Sequence, residues 1–100
     1  MVDMKFRDGV VTAKLSGEID HHIAPQIRGE IDARCESCRP SRLVLDFSKV
    51  GFMDSSGIGL VMGRYRMISL IGGRLEVVNV PQNLRKIFVL SGLGSLGVMK

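Results

Sequence analysis

The sequence predicts an α/β domain, layered around a mixed β-sheet. Three observations predict it. Short β-type runs alternate with helical stretches in the order β-β-α-β-α-β-α-β. An Asp-Gly pair, Asp8-Gly9, separates the first two runs. Apolar residues at Ile23, Ile27, Ile31 and Cys35 recur every fourth position, as one face of a helix requires.

The first two runs cover residues 4–6 and 10–15. Asp-Gly favours a two-residue hairpin, so they are expected to pair antiparallel. Val11, Ala13 and Leu15 alternate with Val10, Thr12, Lys14 and Ser16, which marks one buried face. Residues 16–22 read as a loop. A helix follows over 24–35, with Pro25 in its first turn, where a missing N–H costs nothing. Leu43-Val44-Leu45 reads as a central strand buried on both faces. Residues 51–56 read as the next loop. A second helix over 56–70 is expected to turn Ile58, Val61, Met62, Tyr65 and Ile68 inward, and Gly72-Gly73 closes it. Residues 75–80 form another strand. Pro81 begins a helix that stops at Gly92, and residues 96–99 are expected to add a last short strand. Right-handed crossovers would bring the loops after the two parallel strands to one edge of the sheet, where α/β folds place their sites.

Composition narrows the function. The chain has 100 residues, 45% of them hydrophobic and 24% charged, which suits one globular domain. The net charge of +4 is spread along the chain with acids between the bases. With no polybasic run and only 5% aromatic residues, nothing favours sequence-specific nucleic-acid binding. Charges at positions 3, 5, 7 and 8 argue against a signal peptide. The longest apolar stretch, residues 58–62, is too short to cross a membrane. The expectation is a soluble cytoplasmic protein. Cys35 and Cys38 form a lone CxxC at the end of a helix, where neither a redox motif nor a zinc site belongs, so they read as structural. No phosphate-cradling loop appears, and neither a cofactor nor a metal is expected.

The most informative segment runs from Phe52 through Asp54-Ser55-Ser56-Gly57 to Gly59. An aspartate and two serines stand where a helix begins. Capping explains one of them; a functional hydroxyl is the alternative for the rest. A helix start also attracts anions, so a phosphate on Ser55 would meet oriented N–H groups while Asp54 opposed it. Gly59, Gly63 and Arg66 share a helical face away from the apolar stripe. They suggest either close packing within the fold or a flat patch that a partner approaches. His21-His22 lacks a metal-ligand spacing. A hydrolase built on Ser55, a histidine and Asp20 lacks the glycine-flanked nucleophile turn, so no enzyme activity is expected.

These motifs together resemble a known family. Gly17-Glu18-Ile19-Asp20-His21-His22, the Phe52–Gly59 segment, Gly63-Arg64-Tyr65, Ile71-Gly72-Gly73 and Leu90-Ser91-Gly92-Leu93 occur in order. They are similar to the STAS domain of anti-sigma factor antagonists, nearest to the branch that opposes the anti-sigma-F factor of endospore-forming bacteria. The resemblance spans almost the whole chain.

The resemblance implies a STAS fold over residues 1–100, with a mixed sheet of four to five strands and helices mainly on one side. It implies an antagonist that binds an anti-sigma factor and so releases a sigma factor. That partner would also be a serine kinase which phosphorylates Ser55 and ends the binding, and a serine phosphatase would restore it. Asp20, His21, Asp54, Ser56, Gly57, Gly59, Gly63 and Arg66 are the expected partner-binding residues. No nucleic acid or membrane is implied. The alternative is a STAS module in another signalling or transport complex without kinase switching. Family members usually continue into a C-terminal helix, whereas this sequence stops at Lys100, which fits either a minimal protein or a truncated one, and the CxxC is foreign to the family pattern.

Overall fold

The computed structural model describes residues 1–99; Lys100, the end of the expected domain, lies outside them. Asp8 and Gly9 both take positive φ, 53° and 79°. That backbone turn matches the twist of a hairpin. It joins β1 (Val2–Arg7) to β2 (Val10–Ile19) antiparallel, with Arg7 opposite Val10 and Val2 opposite Leu15. The chain then crosses through α1 (Ala24–Cys38) to β3 (Arg42–Met53), and through α2 (Ser55–Leu70) to β4 (Arg74–Val78). Both crossovers produce parallel pairs, and the four strands lie in the order β1-β2-β3-β4. α3 (Gln82–Leu90) and a 3-10 turn, Leu93–Leu96, follow.

The register explains the core. Val11, Leu43 and Leu75 form one cross-strand row; Ala13, Leu45 and Val77 form the next. All six are buried. Ile27, Ile31 and Cys35 of α1, Leu60, Val61 and Ile68 of α2, and Leu84 and Phe88 of α3 join them in one cluster. Phe88 meets Phe47 edge-on, with ring centroids 5.1 Å apart. The helices therefore cover one face of the sheet and leave the other open.

Several expectations are corrected. The strand at Leu43-Val44-Leu45 is central, but Val44 is only half-buried because the second face has no helix over it. β2 continues through Ile19, into the expected loop, because register shifts around Ser16 and at Gly17 let it pass without strict alternation. β3 likewise continues to Met53, leaving Asp54 alone between strand and helix. β4 ends at Val78, short of residue 80. Within α2, Ile58, Met62 and Tyr65 pack against the core as expected but stay half-buried, while Leu60 and Arg64, not expected there, are buried. The expected last strand amounts to one bridge, Met99 to Val77. The chain there is bent by Gly92 and Gly97, both at positive φ.

Arg64 was unforeseen in the core. Its side chain is 7% exposed, and its Nε lies 2.8 Å from Asp32 Oδ1 on α1. The approach is not aligned as a hydrogen bond, and Nη1 is buried with no partner. Burial lowers the Arg64 pKa, and Asp32 opposes that shift.

Candidate partner-binding site

Ile19 stands opposite Met53 in the parallel register. The segments that follow β2 and β3 therefore leave the sheet at one edge, as the crossover argument expects. The first carries Asp20 and His21; the second carries Asp54, Ser55 and Ser56.

Asp54 is the N-cap of α2. Its backbone is extended (φ −99°, ψ −170°), and its carboxylate accepts from the Ser56 amide at 2.8 Å. Capping thus falls to the aspartate. Ser55 is exposed, and among the described residues its hydroxyl makes no hydrogen bond. The first alternative left open by the sequence is thereby divided: one residue caps, and a neighbouring hydroxyl is free for chemistry.

Asp20 plays a matching part before α1. Its carboxylate accepts from the amides of His22 at 2.9 Å and Ile23 at 3.1 Å. These bonds, the Ile23 one foremost, hold its carboxyl below the usual carboxylate value. His21 Nδ1 lies 4.0 Å from Asp54 Oδ2, and His22 Nδ1 lies 4.0 Å from Asp20 Oδ1. The two imidazole rings lie with centroids 4.1 Å apart, tilted 38° to each other. The histidines face the carboxylates, and no hydrogen bond joins either one to Ser55 among the described residues. A Ser55 hydrolase triad is not assembled.

Gly59, Gly63 and Arg66 extend from Ser55 along one outward stripe of α2. The eleven helical rises from Ser55 to Arg66 span about 16 Å. A Cβ built on Gly59 or Gly63 would meet nothing within 4 Å. Packing within the fold therefore does not explain these two glycines. Gly57 is different. It is buried, and a Cβ there would overlap the Met53 side chain. Of the predicted site residues, Asp20, His21, Asp54, Ser55, Ser56 and Gly59 gather at the edge. Gly63 and Arg66 lie further along α2, and Gly57 sits beneath the surface.

The structure adds a feature. The first turns of α1 and α2 enclose a cleft of about 300 Å³ lined by His21, Pro25, Arg28, Ser56 and Gly59, among others. Arg28 is the cation that the sequence reading did not single out. Only the packing of α1 on α2 brings it beside Ser56. Cys35 is fully buried, and burial pushes its thiol up to about 11. Among the described residues no group of three His, Cys, Asp or Glu could hold a metal, and no helix is long and apolar enough to cross a membrane.

A four-stranded mixed sheet with helices on one face, carrying a capped Asp-Ser-Ser-Gly at the start of α2, defines a class of regulatory domain. Residues 1–98 match the STAS domain, and the chain belongs to that family. Its relatives narrow the class. It is 40% identical over 93 residues to the anti-sigma F factor antagonist of Lysinibacillus sphaericus, which covers 93% of this chain and 79% of the relative. Among solved structures it is similar to the anti-sigma factor antagonist SpoIIAA in its unphosphorylated form. That match has a TM-score of 0.87 at 35% identity and covers 100% of this chain and 86% of the other. The phosphorylated form of SpoIIAA from Bacillus matches with a TM-score of 0.79 at 35% identity, over 100% of this chain and 89% of the other.

Proposed function

We propose that this chain is a cytoplasmic anti-sigma factor antagonist that works by partner switching. Unphosphorylated, it binds an anti-sigma factor and so releases the sigma factor. That partner is a serine kinase, and it transfers the γ-phosphoryl group of ATP to Ser55 Oγ, with ADP leaving. The phosphorylated chain no longer binds, and a serine phosphatase restores it. The domain itself is a binding module and not an enzyme.

One observation carries this reading. Asp54 caps α2, which leaves Ser55 exposed at the head of an outward stripe containing Gly59 and Gly63. A partner that lies against those glycines sits within reach of the Ser55 hydroxyl. Phosphorylation then acts on the interface rather than on the fold. The phosphate gains about 0.3–2 kcal/mol from the helix start and loses about 1–5 kcal/mol against Asp54 at 4–6 Å. Pressed into a complementary surface, the same charge costs about 2–5 kcal/mol, or about 30- to 5000-fold in affinity.

The test is intact-mass spectrometry after incubation with the cognate anti-sigma kinase and Mg-ATP. Wild type should gain one phosphate, and Ser55→Ala none. Ser55→Ala should still bind the kinase, while Ser55→Glu should bind it poorly. If neither protein is phosphorylated and no complex forms with ADP present, the chain is a STAS module of another assembly.

A further inference from the structure

The bases look scattered in the sequence, but the fold gathers three of them. Arg7 pairs in register with Val10, Val10 with Arg42, and Arg42 with Arg74. Their alternation with the buried residues Val11, Leu43 and Leu75 places all three arginines on the open face of the sheet. They form one row across the strands at the hairpin end. The Ser55 edge lies at the opposite end of β3. With strands about 4.8 Å apart, Arg42 and Arg74 stand about 5 Å apart and Arg7 about 10 Å further along. Lys5, one row in, lies on the same face.

The acids nearby neutralise the row only at Arg42, leaving Arg7 and Arg74 with charge to spare. Glu76 lies 3.3 Å from Arg42 Nη1. Asp8 lies 3.6 Å from Arg7 Nε, but these two side chains are 89% and 90% exposed, so water screens the pair. Among the described residues Arg74 has no carboxylate within ion-pair distance. At the other end of the same face, Asp3, Lys14 and Asp46 form a row of mixed sign. The positive charge is therefore confined to one end.

We propose that the Arg7–Arg42–Arg74 row docks an acidic segment of a protein partner, whose carboxylates pair with the guanidinium forks. The chemistry favours this occupant. A second copy would bring the same flat face, of about 400 Å² per copy, and so bury about 800 Å² in all, below the 1,200 Å² or so of a stable interface. Nucleic acid would need stacking partners or a groove-entering element. The aromatic neighbour Phe6 pairs with buried Val11 and turns to the other face. Partners on this row and on the Ser55 edge would occupy different faces and could be held together.

The test titrates the full chain, isotopically labelled, with a fluorescent Glu/Ala peptide at about 50 mM salt, where surface charges are only partly screened. A Gln/Ala peptide is the uncharged control. The Glu/Ala peptide should bind, the Gln/Ala peptide should not, and amide shifts should centre on Arg7, Val10, Arg42 and Glu76. Arg7→Gln/Arg74→Gln should weaken binding about tenfold, as two lost surface pairs imply. Arg85→Gln/Lys86→Gln removes the same charge from exposed positions on α3 and should change it less than about twofold. Unchanged amide positions for the buried Ile31 and Val61, on the helices and away from the row, will show that the variants are folded. Equal losses in both variants would mean attraction to net charge alone and overturn the proposal. So would shifts centred on α3 or the Ser55 edge. Tighter binding of single-stranded oligo-dT at the same row would assign it to nucleic acid, and self-association abolished by Arg7→Gln/Arg74→Gln would assign it to a second copy.

Discussion

The amide of Asp54 donates to the carbonyl of Ile19 at 3.1 Å. This bond lies just past the last register pair of β2 and β3, Ile19 with Met53. It fixes the start of α2 to the end of β2, and so fixes Ser55 relative to Asp20 and His21. The site is built on the ends of two central strands rather than on a free loop. A charge added at Ser55 therefore meets groups already in place, and the domain need not rearrange for a partner to sense it.

The first prediction concerns Gly57. A Cβ at this position overlaps Met53, the last residue of β3. Gly57→Ala gains helix propensity but forces Met53 aside, and overpacking costs about 1–3 kcal/mol. We expect a net loss of about 1–2 kcal/mol in urea unfolding. Truncating Met53 to Ala should cost less in the Gly57→Ala background than in wild type. A double-mutant cycle with coupling below about 0.5 kcal/mol would show that the two side chains do not share the space.

The second prediction concerns the pair between α1 and α2. Arg64 is buried, while Asp32 is 37% exposed at its side chain. Asp32→Ala leaves a buried guanidinium with no counter-charge and should cost about 2–3 kcal/mol. Arg64→Met removes the charge and keeps the volume, so it should be near neutral. Asp32→Ala should then cost little in the Arg64→Met background. Equal costs of Asp32→Ala in both backgrounds would remove the pair from the account.

Much of the architecture is legible in the residues, and what is not has physical reasons. The Ile27, Ile31 and Cys35 stripe sits where helical spacing puts it, and Asp8-Gly9 turns as its residues favour. The two strand extensions escape because Gly17 and Gly51 interrupt strands that hydrogen bonding carries onward. Arg64 escapes because a charged residue reads as surface until its partner on another helix is known. In the site, Asp54-Ser55-Ser56 stands out by residue type, but the division of labour between cap and free hydroxyl is visible only in the Asp54 to Ser56 bond. Arg28 and the arginine row depend on packing and register, which no local pattern encodes.

The third prediction follows from burial of the thiols. Cys35 is fully buried and its pKa is about 11, so at pH 8 it is almost wholly the unreactive thiol. Cys38 is only half-buried. Native protein treated with iodoacetamide at about pH 8 should take up one adduct, at Cys38, and the second only in denaturant. Two rapid adducts on folded protein would mean that the last turn of α1 opens readily.

The last prediction separates stability from binding at the glycine stripe. Gly59 and Gly63 lie in mid-helix, and a Cβ at either meets open space. Alanine there should stabilise the domain by about 0.5–1 kcal/mol per site through helix propensity, raising Tm by about 2–8 °C. A monomer selected for stability alone would have no use for either glycine. If a partner's surface lies flat against this stripe beside Ser55, the added methyl groups intrude there. Gly59→Ala and Gly63→Ala should then bind the anti-sigma factor at least about fivefold more weakly while melting higher, since misfit at a packed interface costs about 1–3 kcal/mol. Differential scanning calorimetry and titration calorimetry on the same variants measure both quantities. A higher Tm with unchanged affinity would move the partner's footprint off α2, and a lower Tm would mean that the two glycines serve the fold after all.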